Sequence, residues 1–213
     1  MTNKDFEMIV KNTIPEDIFC NLKKVKYSIC PDEYMGKVSN KEWIRMDISS
    51  SDFISKNLTE NVVILVLESP HKKEYKTTLP HPAQGKTGTA IRNYLYQLFY
   101  CFCEEIKEDF AEYDLILMNA VPFQCSLGEN PDLYRDKIFE QTWRGGGKKF
   151  FEDRFDSLLK KIHDKNVIVI NASTKGHKNR RKDIITGCIK EKNLQVYEVD
   201  HPASWRIPQI ILK

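Results

Sequence analysis

The sequence predicts a three-layer α/β domain in which helices flank a short four-stranded parallel sheet. Its length of 213 residues suits a single domain. Short apolar runs alternate with helical patterns along the chain, which is typical of α/β proteins. Three of the four runs are apolar on both faces, as expected of parallel strands that are covered by helices on each side.

Residues 1–58 are predicted to form an N-terminal helical cap that belongs to the same domain. Apolar residues at helical spacing on either side of Pro15 predict two short helices within residues 4–26. The α/β part of the domain is expected to occupy residues 59–213.

Four apolar runs are predicted to be the strands of the sheet. They are VVILVL at 62–67, DLILMN at 114–119, NVIVIN at 166–171 and QVYEVD at 195–200. Helical patterns at residues 89–107, 150–163 and 179–192 follow the first three runs. This alternation predicts parallel strands that are joined by helical crossovers.

Composition and charge exclude several classes of protein. With 33 Lys and Arg residues against 30 Asp and Glu residues, the formal charge of +3 is too small for a protein that mainly coats nucleic acid. No segment approaches the roughly 18 apolar residues of a membrane span, and the N-terminus lacks a signal-peptide pattern. The six cysteines lack the spacing of a zinc site. We expect a cytoplasmic protein with no metal, no other cofactor and no membrane partner.

Polar residues follow each of the four predicted strands. They are Glu68, Ser69 and His71 after the first, Asn119 at the second, Asn171, Ser173 and Thr174 at the third, and Asp200 and His201 at the fourth. In a parallel sheet these positions meet at one edge, where ligands bind. The sequence therefore predicts one pocket that is lined by Glu68, Asn119 and His201.

Several of these segments resemble motifs of the uracil-DNA glycosylase superfamily. LESPH at 67–71 is similar to the Gly-Glu-Ala-Pro-Gly motif that ends the family's first strand, and Asn119 in DLILMNAVPFQ matches its base-reading asparagine. HPASW at 201–205 is similar to the family's His-Pro-Ser motif with its intercalating residue. PAQGKTG at 82–88 resembles the Pro-Phe-Val-Gly-x-x-Gly stretch of the iron–sulfur branch.

The resemblance implies a uracil-DNA glycosylase-like fold and a DNA glycosylase-like activity in DNA repair. Such a protein recognises a flipped-out or free nucleobase and hydrolyses its N-glycosidic bond, with DNA or a nucleotide as its partner. Catalytic roles are implied for Glu68 and His201, and base recognition is implied for Asn119, His71 and Ala83.

Contacts with DNA are implied for four residues, Ser69, Ser204, Trp205 and Arg206. Trp205 holds the position of the residue that fills the gap left by a flipped base. Flipping a base out of a duplex costs a few kcal/mol, so a wedge of this kind is useful.

The sequence departs from the family's motifs at three positions. Ser69 stands where the best-known branch has a water-positioning aspartate, and His71 stands where other members have tyrosine or glycine. Ala83 stands where a phenylalanine stacks on uracil, so we expect a pocket wider than a uracil slot. The cysteine ligands of the iron–sulfur branch have no equivalent set here.

The chemistry of glycosidic cleavage suits these residue types. The reaction develops positive charge on the sugar and negative charge on the departing base. Glu68 can stabilise the sugar cation or hold water, His201 can donate to the base, and Asn119 can pair with its polar edge. The alternative is a module that binds a base, nucleoside or nucleotide without cleaving it.

Two other segments have a phosphate-binding interpretation beside a simpler one. The basic block KGHKNRRKD at 175–183 is either a phosphate contact or a solvated helix start. RGGGKKF at 144–150 is either a phosphate cradle at a helix start or a mobile loop. A nucleotide-triphosphate loop at GKTG is excluded, because its first glycine would fall at Pro80.

Overall fold

The computed structural model of the protein describes residues 1–16, 26–38, 43–44, 58–76, 80–106, 112–126, 131–176 and 180–205. Its α-helices are α1 (Asn3–Thr13), α2 (Lys86–Ile106), α3 (Pro131–Thr142), α4 (Lys148–Lys161) and α5 (Arg180–Lys190). Its strands are β1 (Glu33–Val38), β2 (Trp43–Ile44), β3 (Asn61–Leu67), β4 (Tyr113–Asn119), β5 (Asn166–Asn171) and β6 (Val196–Glu198).

The strands form one mixed six-stranded sheet in the order β2-β1-β4-β3-β5-β6. β3 pairs in parallel with β4 and with β5, and β6 pairs in parallel with β5. β1 pairs antiparallel with β4, and β2 pairs antiparallel with β1. The prediction of an α/β architecture is confirmed, but the sheet is mixed and larger than the predicted four-stranded parallel sheet.

The extra strands come from the region that was predicted to be a helical cap. Residues 1–58 contribute α1 but also β1 and β2, which extend the sheet beyond β4. The register of β1 against β4 shifts between Tyr34 and Gly36, and Gly36 has a φ of 122°. Such a bulge breaks the two-residue alternation by which a strand is recognised in a sequence. Most of the second predicted helix lies outside the described residues.

Helices cover both faces of the sheet. Val62, Ile64 and Val66 of β3 pack in a core with residues of α1, α3, α4 and α5. The alternate residues, Val63 and Leu65, pack in a second core with α2. Burying an aliphatic side chain of this size is worth about 1.5–3 kcal/mol, so both faces of β3 are strongly held. The residues that follow β3 therefore leave the sheet from a fixed position.

The glycine run at 145–147 lies in a turn of π-helix, Trp143–Gly147, between α3 and α4. A Cβ on Gly147 would lie 2.6 Å from the carbonyl oxygen of Thr142, and one on Gly145 would lie 2.9 Å from Cδ1 of Ile9. Gly145 thus allows α1 to approach this turn closely, and Gly147 allows the turn to pack on the end of α3. We interpret the segment as a packing site, in place of the two alternatives drawn from the sequence.

Among the described residues, no helix combines the length and apolar character that a membrane span requires. Cys30, Cys125 and Cys188 are buried free thiols.

Candidate functional site

A cavity of about 450 Å³ lies at the carboxyl edge of the sheet. Glu68 and His71 enter it from the end of β3, Thr174 from the end of β5, and His201 from the end of β6. Ser69 lines the same cavity. The size is within the usual range of small-molecule sites, about 300–1,000 Å³. Parallel pairing explains the convergence, because the strands that carry these residues all end at this edge.

Glu68 is a buried carboxylate with partners on both oxygens. Its Oε2 accepts hydrogen bonds from the hydroxyl of Thr174 and from the Thr174 backbone N–H, the latter at 2.8 Å. Its Oε1 lies 3.0 Å from Nη1 of Arg181 and 3.3 Å from Nε of Arg135. The charge of Glu68 is therefore shared by two guanidinium groups, which reduces what it can contribute to a sugar cation.

The two arginines differ in exposure. The Arg181 side chain is 4% exposed, and its Nε also lies 2.8 Å from Oδ1 of Asp136. The Arg135 side chain is 22% exposed and lines the cavity. Glu68 thus holds Arg135 at the cavity wall. Arg181 is the buried member of the group and links Glu68 to Asp136. Sequence analysis found no sign of Arg135 and identified Arg181 only as part of the basic block at 175–183, because both arginines lie far from Glu68 along the chain.

His201 is held as a neutral imidazole. Its Nδ1 accepts a hydrogen bond from the backbone N–H of Ala203 at 3.2 Å, so the ring proton resides on Nε2. Burial lowers the pKa of His201 to about 4, although the charge of Glu68 opposes the shift. The ring therefore provides an uncharged N–H donor at the cavity wall across the neutral pH range.

His71 is oriented in a similar way at the start of a short 3-10 helix, Lys72–Tyr75. Its Nδ1 accepts from the backbone N–H of Lys73 at 3.3 Å. Burial lowers the pKa of His71, and the charges of Lys72 and Lys73 add to the shift. His71 is thus a second histidine that lines the cavity and has a lowered pKa.

Glu74 lines the same cavity and was not predicted from the sequence. It is 4% exposed, and burial raises the pKa of its carboxyl to about 7, although the backbone N–H groups of His71 and Ala83 donate to it. These bonds join the segment after β3 to the loop before α2. A capping-box spacing from His71 to Glu74 is the only sequence signal, and histidine is not a usual member of that motif.

Ala83 does not line the cavity. It is fully buried in the core beneath α2, with a φ of 57°. A Cβ on Gly88 would lie 1.6 Å from the Ala83 carbonyl oxygen, so the loop packs directly on the first turn of α2. The predicted effect of Ala83 on pocket width has no support here, because its methyl group points into the core instead.

Asn119 lies at the predicted edge but not on the cavity surface. It is 1% exposed, and its register partner on β3 is Leu67, which does line the cavity. Neither amide atom of Asn119 has a hydrogen-bond partner among the described residues. The backbone carbonyl of Asn119 accepts from Arg154 at 2.7 Å, which fixes the end of β4.

Trp205 is buried, in disagreement with its predicted role as a wedge. The residue is 6% exposed, packs in the core with α2, and donates from its indole N–H to the Asp200 carbonyl at 2.7 Å. Ser204 is a turn residue whose hydroxyl donates to the His201 carbonyl. Arg206, the remaining predicted DNA contact, lies outside the described residues.

One group of side chains has the spacing of metal ligands. Ligand atoms of Glu152, Cys188 and Glu191 lie within 4.8 Å of one another. The ammonium group of Lys148 lies 3.7 Å from Glu152 and 3.0 Å from Glu191, and it supplies positive charge there. Burial raises the pKa of the Cys188 thiol to about 12, which disfavours the thiolate that binds metals. We interpret this group as a set of ion pairs.

Comparisons of the chain with protein-family models, with curated proteins and with solved structures gave no match.

Proposed function

We propose that the protein recognises a nucleobase at the carboxyl edge of the sheet and hydrolyses the N-glycosidic bond that joins the base to its sugar. The main support for this proposal is His201, which lines a cavity of about 450 Å³. Its imidazole is neutral, with the proton on Nε2 as the hydrogen-bond donor. A neutral donor suits a leaving base that gains negative charge. The proposed setting is the cytoplasm.

In this reaction the bond between C1′ and a base nitrogen breaks, and its electron pair leaves with the base. His201 donates a hydrogen bond from Nε2 to the base where the negative charge develops. A water molecule adds its oxygen to C1′ and releases a proton, and the base takes up a proton as it departs. Because the donor is fixed by its bond to Ala203, it needs little rearrangement during the reaction.

The proposal includes a uracil-DNA glycosylase-like arrangement of the site. Its support is that LESPH begins at the last residue of β3, Asn119 ends β4 and HPASW follows β6. These strands belong to a run of four neighbours, β4-β3-β5-β6, that pair in parallel. The motif-bearing segments therefore leave the sheet at the same edge.

The ion pairs of Glu68 favour a second candidate, a nucleobase-binding or nucleotide-binding module without catalysis. A carboxylate that is paired with Arg135 and Arg181 has little charge left for a sugar cation. Glu68 then acts as the residue that positions Arg135. In this alternative the same cavity and the same His201 donor hold a base that is never released.

The experiment is single-turnover base release from a panel of oligonucleotides, nucleosides and nucleotides, with thermal stabilisation by the same ligands measured in parallel. We expect His201→Ala to lower the release rate about 10²-fold to 10³-fold, the usual effect of losing one such donor. His163→Ala is the matched control, because His163 is exposed beyond the end of α4, does not line the cavity, and forms a hydrogen bond with the Lys160 carbonyl.

Release at the parent rate by His201→Ala would contradict the catalytic role of this residue. Stabilisation by a ligand without release of any base would favour the binding module. If no member of the panel loses its base or stabilises the protein, both candidates are overturned.

A further inference from the structure

A second cavity of about 480 Å³ adjoins the first and shares four lining residues with it. These are Lys73, Gly85, Lys86 and Ala203. The Lys73 side chain runs over Gly85, where an added Cβ would lie 3.3 Å from the lysine Cδ. Lys73 therefore lies at the boundary between the two cavities.

The second cavity is cationic. Lys76 lines it together with Lys73 and Lys86, and no described residue on its wall is acidic. None of the three lysines forms an ion pair with another described residue. Its other polar walls include Gln84 and Asn93, whose amides can donate hydrogen bonds. The chemistry of these walls suits a phosphate group.

The basic block at residues 175–183 differs from the lysines of the second cavity in its ion pairing. Arg181 pairs with Glu68 and Asp136, and Arg180 lies 3.5 Å from Glu140. Lys182 is buried and donates to the Val199 carbonyl. The charges of these residues are thus engaged within the protein, whereas the three lysines of the second cavity have no ion pair with any residue that the structure describes.

We propose, building on the proposed function, that the two cavities together bind one free nucleotide. The base lies in the first cavity beside His201, and the phosphate lies among Lys73, Lys76 and Lys86 of the second. A free nucleotide is favoured over a base in a duplex for two reasons. Trp205 is 6% exposed and packs in the core with α2, so it does not project from the surface to replace a flipped base. The formal charge of the chain, +3, is small for a protein that binds a long polyanion.

The test compares the affinities of matched ligands by calorimetry. The probes are deoxyuridine, deoxycytidine, deoxyadenosine and deoxyguanosine, each as the nucleoside, the 5′-monophosphate, a single-stranded oligonucleotide and a duplex. For the preferred base we expect the monophosphate to bind at least about tenfold more tightly than the nucleoside. Added salt should weaken binding of the monophosphate and leave binding of the nucleoside nearly unchanged.

The variant Lys73→Gln/Lys76→Gln/Lys86→Gln should lose most of the tenfold gain. Its matched control is Lys149→Gln/Lys160→Gln/Lys161→Gln, which removes the same charge from α4 on the opposite face of the sheet and should keep the gain. If the triple variant fails to fold, Lys76→Gln alone tests the same contacts, because it changes an exposed residue.

Equal affinity for nucleoside and monophosphate would overturn the proposal, and so would an unchanged gain in the triple variant. Tighter binding of either oligonucleotide than of the monophosphate would overturn the choice of a free nucleotide. Because the readout is binding, a nucleotide that binds in this way without losing its base would refute the hydrolytic function while supporting the two-cavity site.

Discussion

Asn119 and Asn171 occupy equivalent positions at the ends of two strands, but the hydrogen bonding of their side-chain amides differs. Each is the last residue of a parallel strand, and both are buried. Asn171 accepts hydrogen bonds from the backbone and hydroxyl of Ser173 and donates to the Lys182 carbonyl and the Thr186 hydroxyl. The amide of Asn119 has no such partner among the described residues.

The difference separates an asparagine whose amide holds the edge of the sheet together from one whose amide does not. An unpaired buried amide costs about 1–3 kcal/mol, so it is rarely kept without a reason. Glu68 resembles Asn171, because its oxygens are already occupied by Thr174 and two arginines. His201 differs from both asparagines, because it lines the cavity while its Nδ1 accepts a hydrogen bond from the backbone N–H of Ala203.

The largest effect is expected from Arg181→Met. The change removes one of the guanidinium groups that neutralise Glu68 and also removes the ion pair between Arg181 and Asp136. Breaking a buried ion pair on one side typically costs 3–5 kcal/mol, so we expect a loss of about that size in the free energy of unfolding, measured with urea. Arg180→Gln is the control, because Arg180 is 56% exposed and its pair with Glu140 should be worth less than about 1 kcal/mol. A similar small loss for Arg181→Met would mean that the Glu68 group is not structural.

A smaller loss, about 3 kcal/mol, is expected from Asn171→Ala. The change leaves the buried Lys182 carbonyl and the Ser173 hydroxyl without their bonds to the Asn171 amide. Asn166→Ala provides the control at the other end of the same strand, where the side chain is exposed and makes one bond to Asn61. Equal urea midpoints for the two variants would remove the distinction between the two asparagines.

Glu74→Gln should change how stability depends on pH, by about 2 kcal/mol. Burial raises the pKa of Glu74 from an ordinary value of 4.5 to about 7. Between these values the folded protein keeps a proton that the unfolded chain has released, so this group makes the free energy of unfolding fall as pH rises from about 4.5 to about 7. Above pH 7 it adds no further change.

The measurement is urea unfolding at pH 5 and pH 8. The parent should lose about 2 kcal/mol more between the two conditions than Glu74→Gln does. Parallel pH profiles for the two proteins would show that the Glu74 carboxyl is not protonated in the folded state.

The sequence predicts the positions of β3, β4 and β5 because their long apolar runs are buried on both faces. It did not reveal α3, whose segment PDLYRDKIFEQT is mostly polar and lacks a regular apolar stripe. The location of the site follows from the parallel strand ends, so Glu68 and His201 are found together. The hydrogen bonds and ion pairs of Glu68 do not follow, because its partners Thr174 and Arg181 are 106 and 113 positions away along the chain. The same limit hides the burial of Trp205.

The smallest effect on stability is expected from Asn119→Ala, the same substitution as at Asn171. Removing the amide abolishes two unpaired buried polar atoms, which should offset the loss of packing around the side chain. We therefore expect the free energy of unfolding to stay within about 1 kcal/mol of the parent value. Binding of the preferred nucleobase should also stay close to the parent value, because Asn119 is buried and does not line the cavity in which the proposal places the base. Urea unfolding and calorimetric titration on the same preparation give both values. A large loss of stability would show that the Asn119 amide has a structural partner after all, whereas a clear loss of affinity would show that the base reaches the end of β4.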